Sequence, residues 1–300
     1  MASLKNIPGW LKLLLKLVIT VLCLWYVSNK IDWSKSLATI QRSDVLWLLI
    51  ATVLFTASKV VSSVRLNIYF NNIRLNLSQK VNLKLYWLGM FYNLFLPGGI
   101  GGDAYKVILL RKTHKQPAKL LTAAVLLDRM SGVVGLGILA AIYYYVVYKG
   151  ANYSLLLIIT VLPALAAYWF FVRQFFPSFI KGFWPTLWLG LAVQVLQVLC
   201  AYCIMQALHL YGHNTEYILI FLLSSVVAIL PFTVGGLGAR EVVFLWGSTQ
   251  FLLNKDESVC ISLLFYLITV VISTIGVYWV YKDPLGKSGD TEKQDTLKVS

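Results

Sequence analysis

The chain is short of charge. Asp, Glu, Lys and Arg make up 13% of its 300 residues, about half the share in an ordinary soluble protein. Acidic residues are the scarcest, 12 against 26 basic ones. With 59% hydrophobic residues, this composition excludes a disordered chain, which has too little apolar surface to collapse. It excludes an ordinary soluble enzyme as well, since a particle of this size has no interior that could hide so much apolar surface. Four cysteines, Cys23, Cys200, Cys203 and Cys260, exclude a disulfide-stapled secreted scaffold. All four lie in apolar segments and read as small buried hydrophobes, the Cys200–Cys203 pair included. The three histidines, His114, His209 and His213, lie in loops without a metal-ligand partner pattern and read as solvated loop residues. No Ser/His/Asp group, GxSxG, P-loop, HExxH or suitably paired carboxylates stand out. The sequence therefore predicts no catalytic residues, no metal and no cofactor. What remains is a polytopic α-helical membrane protein.

A bilayer core takes about 20 apolar residues as a helix. Six stretches meet that length: 10–28, 45–64, 120–148, 153–172, 185–206 and 259–281. Two further apolar stretches, 81–110 and 217–253, are interrupted by Pro97 and Pro231 with glycines behind them. Proline stops a helix and glycine permits the turn that follows. Each stretch is predicted to be a broken, re-entrant hairpin of two half-helices.

The basic excess falls mostly in short loops, where it reads as a topology and anionic-lipid signal rather than a nucleic-acid surface. With the amino terminus taken as cytoplasmic, 17 cations lie inside, Arg65 among them in a loop 65–84, and 5 lie outside. Both termini are then cytoplasmic, and the polar tail 282–300 is expected to be disordered. Four cations fall at membrane depth: Lys59, Lys106, Arg129 and Arg240.

The two interruptions share one pattern, Leu-Pro-x-x-[Ile/Val]-Gly-Gly. Pro97 and Pro231 are 134 residues apart, as are Gly101 and Gly235, Gly102 and Gly236, and Lys106 and Arg240. The flanking spans follow the same order in each half. The chain thus reads as one transmembrane domain, 1–281, made of two repeats of opposite orientation at about 10–148 and 153–281. That arrangement places a site where broken helices meet.

A helix starting after each glycine pair offers unpaired N–H groups and a partial positive charge. Gly101, Gly102, Gly235 and Gly236 let a ligand approach the backbone, and Lys106 and Arg240 add full charges, so that a phosphate cradle is predicted. Asp103 reads either as a helix cap or as a cavity charge, and Glu241 either as a cavity charge or as the partner of a basic residue. Lys59 either snorkels or faces the cavity. Asp128 and Arg129 diverge by about 100° around their helix, so each needs its own partner, and intramembrane charges face a bundle interior. Gly132, Gly135 and Gly137 allow close helix approach. Four buried cations against Asp103, Asp128 and Glu241 leave one positive charge, which an anionic headgroup would balance.

The stretch from Asn93 through LPGGIGG to Asp103 and Lys106, then Asp128-Arg129, then LPFTVGGLGARE ending at Glu241, resembles the lysylphosphatidylglycerol synthase transmembrane-region family, the flippase-like membrane proteins. The resemblance runs over roughly residues 10–281. It implies that Asn93, Asp103, Lys106, Asp128, Arg129, Arg240 and Glu241 line a functional cavity. In the multiple peptide resistance factors, a similar membrane domain is thought to move aminoacylated phosphatidylglycerol between leaflets, while a separate soluble domain makes that lipid. This chain ends about 19 residues after its last expected span, so the synthase activity is not expected of it. The expected function is translocation of an anionic phospholipid or polyprenyl-phosphate lipid in a bacterial or archaeal cell membrane. Membrane lipids are the expected partners, with a lipid-modifying enzyme as a further one. A small-anion transporter and a non-transporting membrane subunit of a glycosyltransferase or lipid-modifying pathway are the alternatives.

Overall fold

The computed structural model describes residues 9–95, 101–149, 152–229, 233–282 and 284–285. The expected breaks at Pro97 and Pro231, and the tail beyond 285, lie outside the described residues. Every regular element among the described residues is helical: α1 (Gly9–Ser28), α2 (Trp33–Gln41), α3 (Val45–Asn72), α4 (Gln79–Phe95), α5 (Gly101–His114), α6 (Ala118–Val147), α7 (Asn152–Phe175), α8 (Phe183–Ala207), α9 (Asn214–Ile229), α10 (Ala239–Gln250), α11 (Lys255–Thr274) and α12 (Tyr278–Tyr281). Short 3-10 turns lead into α8 and join α11 to α12.

Five helical stretches among the described residues are long and apolar enough to cross a membrane: Val45–Asn72, Ala118–Val147, Leu155–Phe175, Pro177–Ala207 and Lys255–Tyr281. They coincide with five of the six expected spans. The sixth falls on α1, 20 residues long, within which Leu17–Ser28 is an apolar helix. On either side of the interruptions, α4 packs on α5 and α9 packs on α10. Shifted by 134 residues, the bounds of α3, α4, α5 and α6 fall within a few residues of those of α8, α9, α10 and the continuous run from α11 to α12.

Two differences from the sequence reading have clear causes. First, α3 does not stop at residue 64. It runs to Asn72 and carries Arg65 inside the protein at 5% exposure. The loop placement of Arg65 is thus corrected: a guanidinium with a buried counterion does not end a span, which hydropathy alone cannot see. Second, the connection after α1 holds the short helix α2. The Asp32 carboxylate caps it by accepting from the Ser34 and Lys35 amides at 3.0 and 3.3 Å. The Lys35 amide foremost, helped by its ammonium, holds that carboxyl below the usual range. The Asp32 amide in turn donates to Asp256 Oδ1 at 2.8 Å, tying α2 to the start of α11.

The interior is layered along the long helices. One apolar cluster gathers Phe55 of α3, Leu136 of α6, Ile204 of α8, Phe221 of α9 and Phe265 of α11. A second gathers Phe70 of α3, Leu110 of α5, Leu127 of α6 and Leu187 of α8. Between them, near the midpoints of α3, α6 and α8, lies a polar waist. It holds Ser58, Lys59, Ser62, Ser63 and Arg65 on α3, Asp128 and Ser131 on α6, and Gln194 on α8. Small residues let the three helices close around it. A Cβ at Gly135 would lie 2.9 Å from the Gly190 carbonyl carbon, and one at Gly190 would lie 2.7 Å from the Ser131 carbonyl oxygen. The Gln194 amide donates to the Gly132 carbonyl at 3.1 Å across the same crossing.

Candidate functional site

The waist and the ends of the two hairpins form one polar region. Asp128 and Arg129 are adjacent, and each has its own partner as helix geometry requires. Arg65 Nε donates to Asp128 Oδ1 at 2.7 Å, with both side chains nearly buried. Arg129 Nε pairs with Asp103 Oδ2, and Lys106 Nζ pairs with Asp103 Oδ1 at 3.1 Å. Asp103 is therefore a bridge between two cations rather than a helix cap. The cap of α5 comes from α4 instead: the Gly102 amide donates to Asn93 Oδ1 at 2.9 Å. Lys106 Nζ also lies 4.7 Å from the centre of the Tyr86 ring.

The glycines of the first hairpin serve close packing. A Cβ at Gly102 would overlap the Gly89 carbonyl, and one at Gly89 would overlap Cε of Lys106. Gly89 thus makes room for the lysine that sequence reasoning singled out, and it was missed because it stands alone in an apolar run. Gly101 is half-buried at the start of α5.

The second hairpin is built differently. Gly235, Gly236 and Gly238 have φ of 61°, 86° and 84°, a region that L-residues with a Cβ enter at a cost. A Cβ at Gly235 would lie 2.6 Å from Leu94 Cδ1, so the end of α4 touches the second interruption and the two hairpins meet. Glu241 is fully buried and does not pair with Arg240. Its Oε2 accepts from the Gly238 amide at 2.6 Å, and its Oε1 accepts from Ser262 Oγ at 2.8 Å. It satisfies the amide of the residue that begins its own helix. The helix α1 braces this turn: Thr20 Oγ1 accepts from the Val234 amide at 3.1 Å, and a Cβ at Gly238 would lie 2.8 Å from Cys23 Cβ. A single threonine in an apolar helix gave no sequence signal for that role. Gly238→Ala is expected to lower stability by about 1–3 kcal/mol, through positive-φ strain and collision with α1. Thermal unfolding in detergent micelles checks it.

Arg240 and Lys59 stand apart from the ion pairs. Among the described residues, no carboxylate lies within salt-bridge distance of either, and Arg240 Nη1 is buried without an acceptor. The Arg240 guanidinium lies 4.8 Å from the centre of the Phe265 ring and 5.7 Å from that of Phe221. Lys59 Nζ lies 4.4 Å from the centre of the Phe55 ring. The three rings pack edge to face, Phe55 on Phe265 at 5.5 Å and Phe221 on Phe265 at 4.8 Å. The two cations thus stand over one aromatic cluster. Aromatic faces return about 0.5–2 kcal/mol per cation.

The structure thus divides the predicted cations. Lys106 and Arg129 share Asp103, Arg65 uses Asp128, and Lys59 and Arg240 share only the aromatic cluster. With Arg65 added, five cations and three carboxylates line this polar region; the carboxylates, Arg65 and Lys106 are buried, and Lys59, Arg129 and Arg240 are part-exposed. Gly132 borders the Arg65 guanidinium, a Cβ there falling 3.1 Å from Nη1, whereas a Cβ at Gly137 would meet nothing within 4 Å. Gly137 lines an apolar cleft of about 260 Å³ between α6 and α7, with Val134, Ile138, Leu157, Val161 and Leu165.

Long apolar helices around a charged, glycine-lined interior define an integral membrane protein with a polar site inside its helical bundle. Residues 13–276 match the family described as lysylphosphatidylglycerol synthase TM region, and the chain belongs to that family. It is similar to a UPF0104 membrane protein of Pyrococcus horikoshii, 24% identical over 127 residues. That match covers 42% of this chain and 37% of the relative's length.

Proposed function

We propose that the protein moves an anionic lipid between the leaflets of a cell membrane, without catalysing a covalent step. The headgroup crosses at the polar waist while the acyl chains stay in apolar surroundings. One observation carries this reading: a charged layer on α3 and α6, bordered by Gln194 of α8, has an apolar cleft beside it along α6. From Asp128 to Gly137 is nine residues of α6, about 14 Å. A lipid held with its headgroup among the charges can lay a chain into that cleft, whereas a small solute has no use for it. The family's description, which names a lipid synthase membrane region, supports a lipid cargo. In this reading the two hairpins dip from opposite leaflets, both termini are cytoplasmic, and alternating access is a rocking of one repeat against the other. The excess of positive charge favours phosphatidylglycerol or a polyprenyl phosphate over a zwitterionic lipid.

Purified protein in liposomes carrying nitrobenzoxadiazole-labelled phosphatidylglycerol tests the reading. Dithionite quenching of the inner-leaflet pool should proceed at least about tenfold faster than in protein-free liposomes, a barrier reduction of about 1.4 kcal/mol. Equal rates sink the proposal. Gly137→Trp fills open space and leaves the fold intact, and it is expected to cut the accelerated rate about tenfold.

A further inference from the structure

We propose that Lys59 and Arg240 together form a binding seat for one phosphoryl group, with Phe55, Phe221 and Phe265 as its floor. The inference rests on the lipid-translocation reading for its source of phosphate, but its geometry stands independently.

The repeat explains why this pair lacks carboxylates. Lys106 and Arg240 are equivalent positions at the 134-residue offset. In the first half, Asp103 neutralises Lys106 and Arg129. At the offset positions of Asp103, Asp128 and Arg129 the second half has Leu237, Ser262 and Leu263. The internal counterions of the first half have thus been replaced by apolar or neutral residues around Arg240. The one nearby carboxylate, Glu241, is turned away and spends both oxygens on the Gly238 amide and Ser262. Lys59 enters from α3 on the other side and adds a second charge where the repeat offers none, its offset position being Val193.

The remaining features fit a tetrahedral oxyanion. A guanidinium presents a planar fork of donors and an ammonium a compact point charge, a combination suited to phosphate. Arg240 Nη1 is buried without an acceptor. Gly236 lies beside it, a Cβ there falling 3.5 Å from Arg240 Nε. The segments outside the described residues at the two interruptions, 96–100 and 230–232, contain no acidic residue. An anionic ligand would supply the close counterion that no described carboxylate within salt-bridge distance provides. Lys106, which the sequence groups with Arg240, is already paired and belongs to the neighbouring network.

Isothermal titration of the purified protein in detergent, with inorganic phosphate and separately with dioctanoyl phosphatidylglycerol, tests the seat. Wild-type protein should bind at least one probe, and Lys59→Met/Arg240→Met should weaken that binding by about a hundredfold or more. Because two cations without a carboxylate at salt-bridge distance are removed, the ligand-free double variant should melt at or above the wild-type temperature. Binding of the lipid alone assigns the seat to headgroups, binding of phosphate alone assigns it to a free anion, and either supports it. Wild-type protein that binds neither probe, or a double variant that binds as wild type, overturns it. Should the double variant fail to fold, Lys59→Met alone must lose about tenfold, and undiminished binding by it overturns the seat. Binding without translocation removes the transport reading and leaves the seat standing, while translocation without binding does the reverse.

Discussion

Replacing Asp128 with alanine should destabilise the protein by about 3–5 kcal/mol, the usual cost of leaving one member of a buried ion pair alone. Arg65 is 5% exposed and its Nε lies 2.7 Å from Asp128 Oδ1. The guanidinium cannot swing away to find water. It lies against Gly132 and Gly190, where a Cβ would fall 3.1 and 3.4 Å from Nη1, and that Nη1 already lacks an acceptor. Unfolding in sodium dodecyl sulfate, where the freed guanidinium is hydrated, reads the cost directly. Arg65→Met/Asp128→Leu should recover most of the loss, because a matched apolar pair has no charge to desolvate. An Asp128→Ala protein within about 0.5 kcal/mol of wild type, the range of an ordinary surface change, would show that this pair does not hold the waist together.

Gly102→Ala is expected to be nearly as severe, at about 3 kcal/mol, the upper end of overpacking. Its new methyl group would overlap the carbonyl of Gly89. Backbone of a packed helix cannot yield without separating α4 from α5 and breaking the Asn93 cap on the Gly102 amide. Gly89→Ala meets the end of the Lys106 side chain instead, which can retract. It should cost less, about 1 kcal/mol, while pulling the ammonium from Asp103 at 3.1 Å. The two variants, compared by thermal unfolding in the same detergent, separate backbone collision from side-chain displacement. Equal losses would mean that Lys106 is as rigidly held as the Gly89 backbone.

Much of this arrangement was legible in residue order. The spans at 45–64, 120–148, 153–172, 185–206 and 259–281 were visible because nearly twenty consecutive apolar residues have no other stable environment than a bilayer. The requirement that Asp128 and Arg129 find separate partners followed from the 100° step of a helix, and Arg65 and Asp103 are those partners. Arg65 itself was hidden, because a buried cation and a loop cation look alike until the counterion, 63 residues away, is in place.

The roles of the acidic residues were decided by packing. Asp103 and Glu241 both begin helices after a glycine pair, and local chemistry allows either one to cap or to pair. Asn93 at the end of α4 caps α5 and frees Asp103 to bridge two cations. The second half has Val227 at the offset of Asn93, a side chain with no acceptor to lend, so Glu241 must satisfy its own helix. Glycines follow the same division. Chain order marked Gly235 and Gly236, but only the crossing of helices distant in sequence shows that Gly89, Gly190 and Gly238 hold a lysine, an arginine and α1 in place.

The sequence by itself determined a membrane-spanning helical chain, its glycine-proline interruptions and an interior with more positive than negative charge, because these depend on composition and on spacing along one helix. Tertiary structure decided which cations are neutralised and which are not. Ion pairing at low dielectric is settled over a few ångströms between helices far apart in the chain, and no pattern along a single helix encodes that distance.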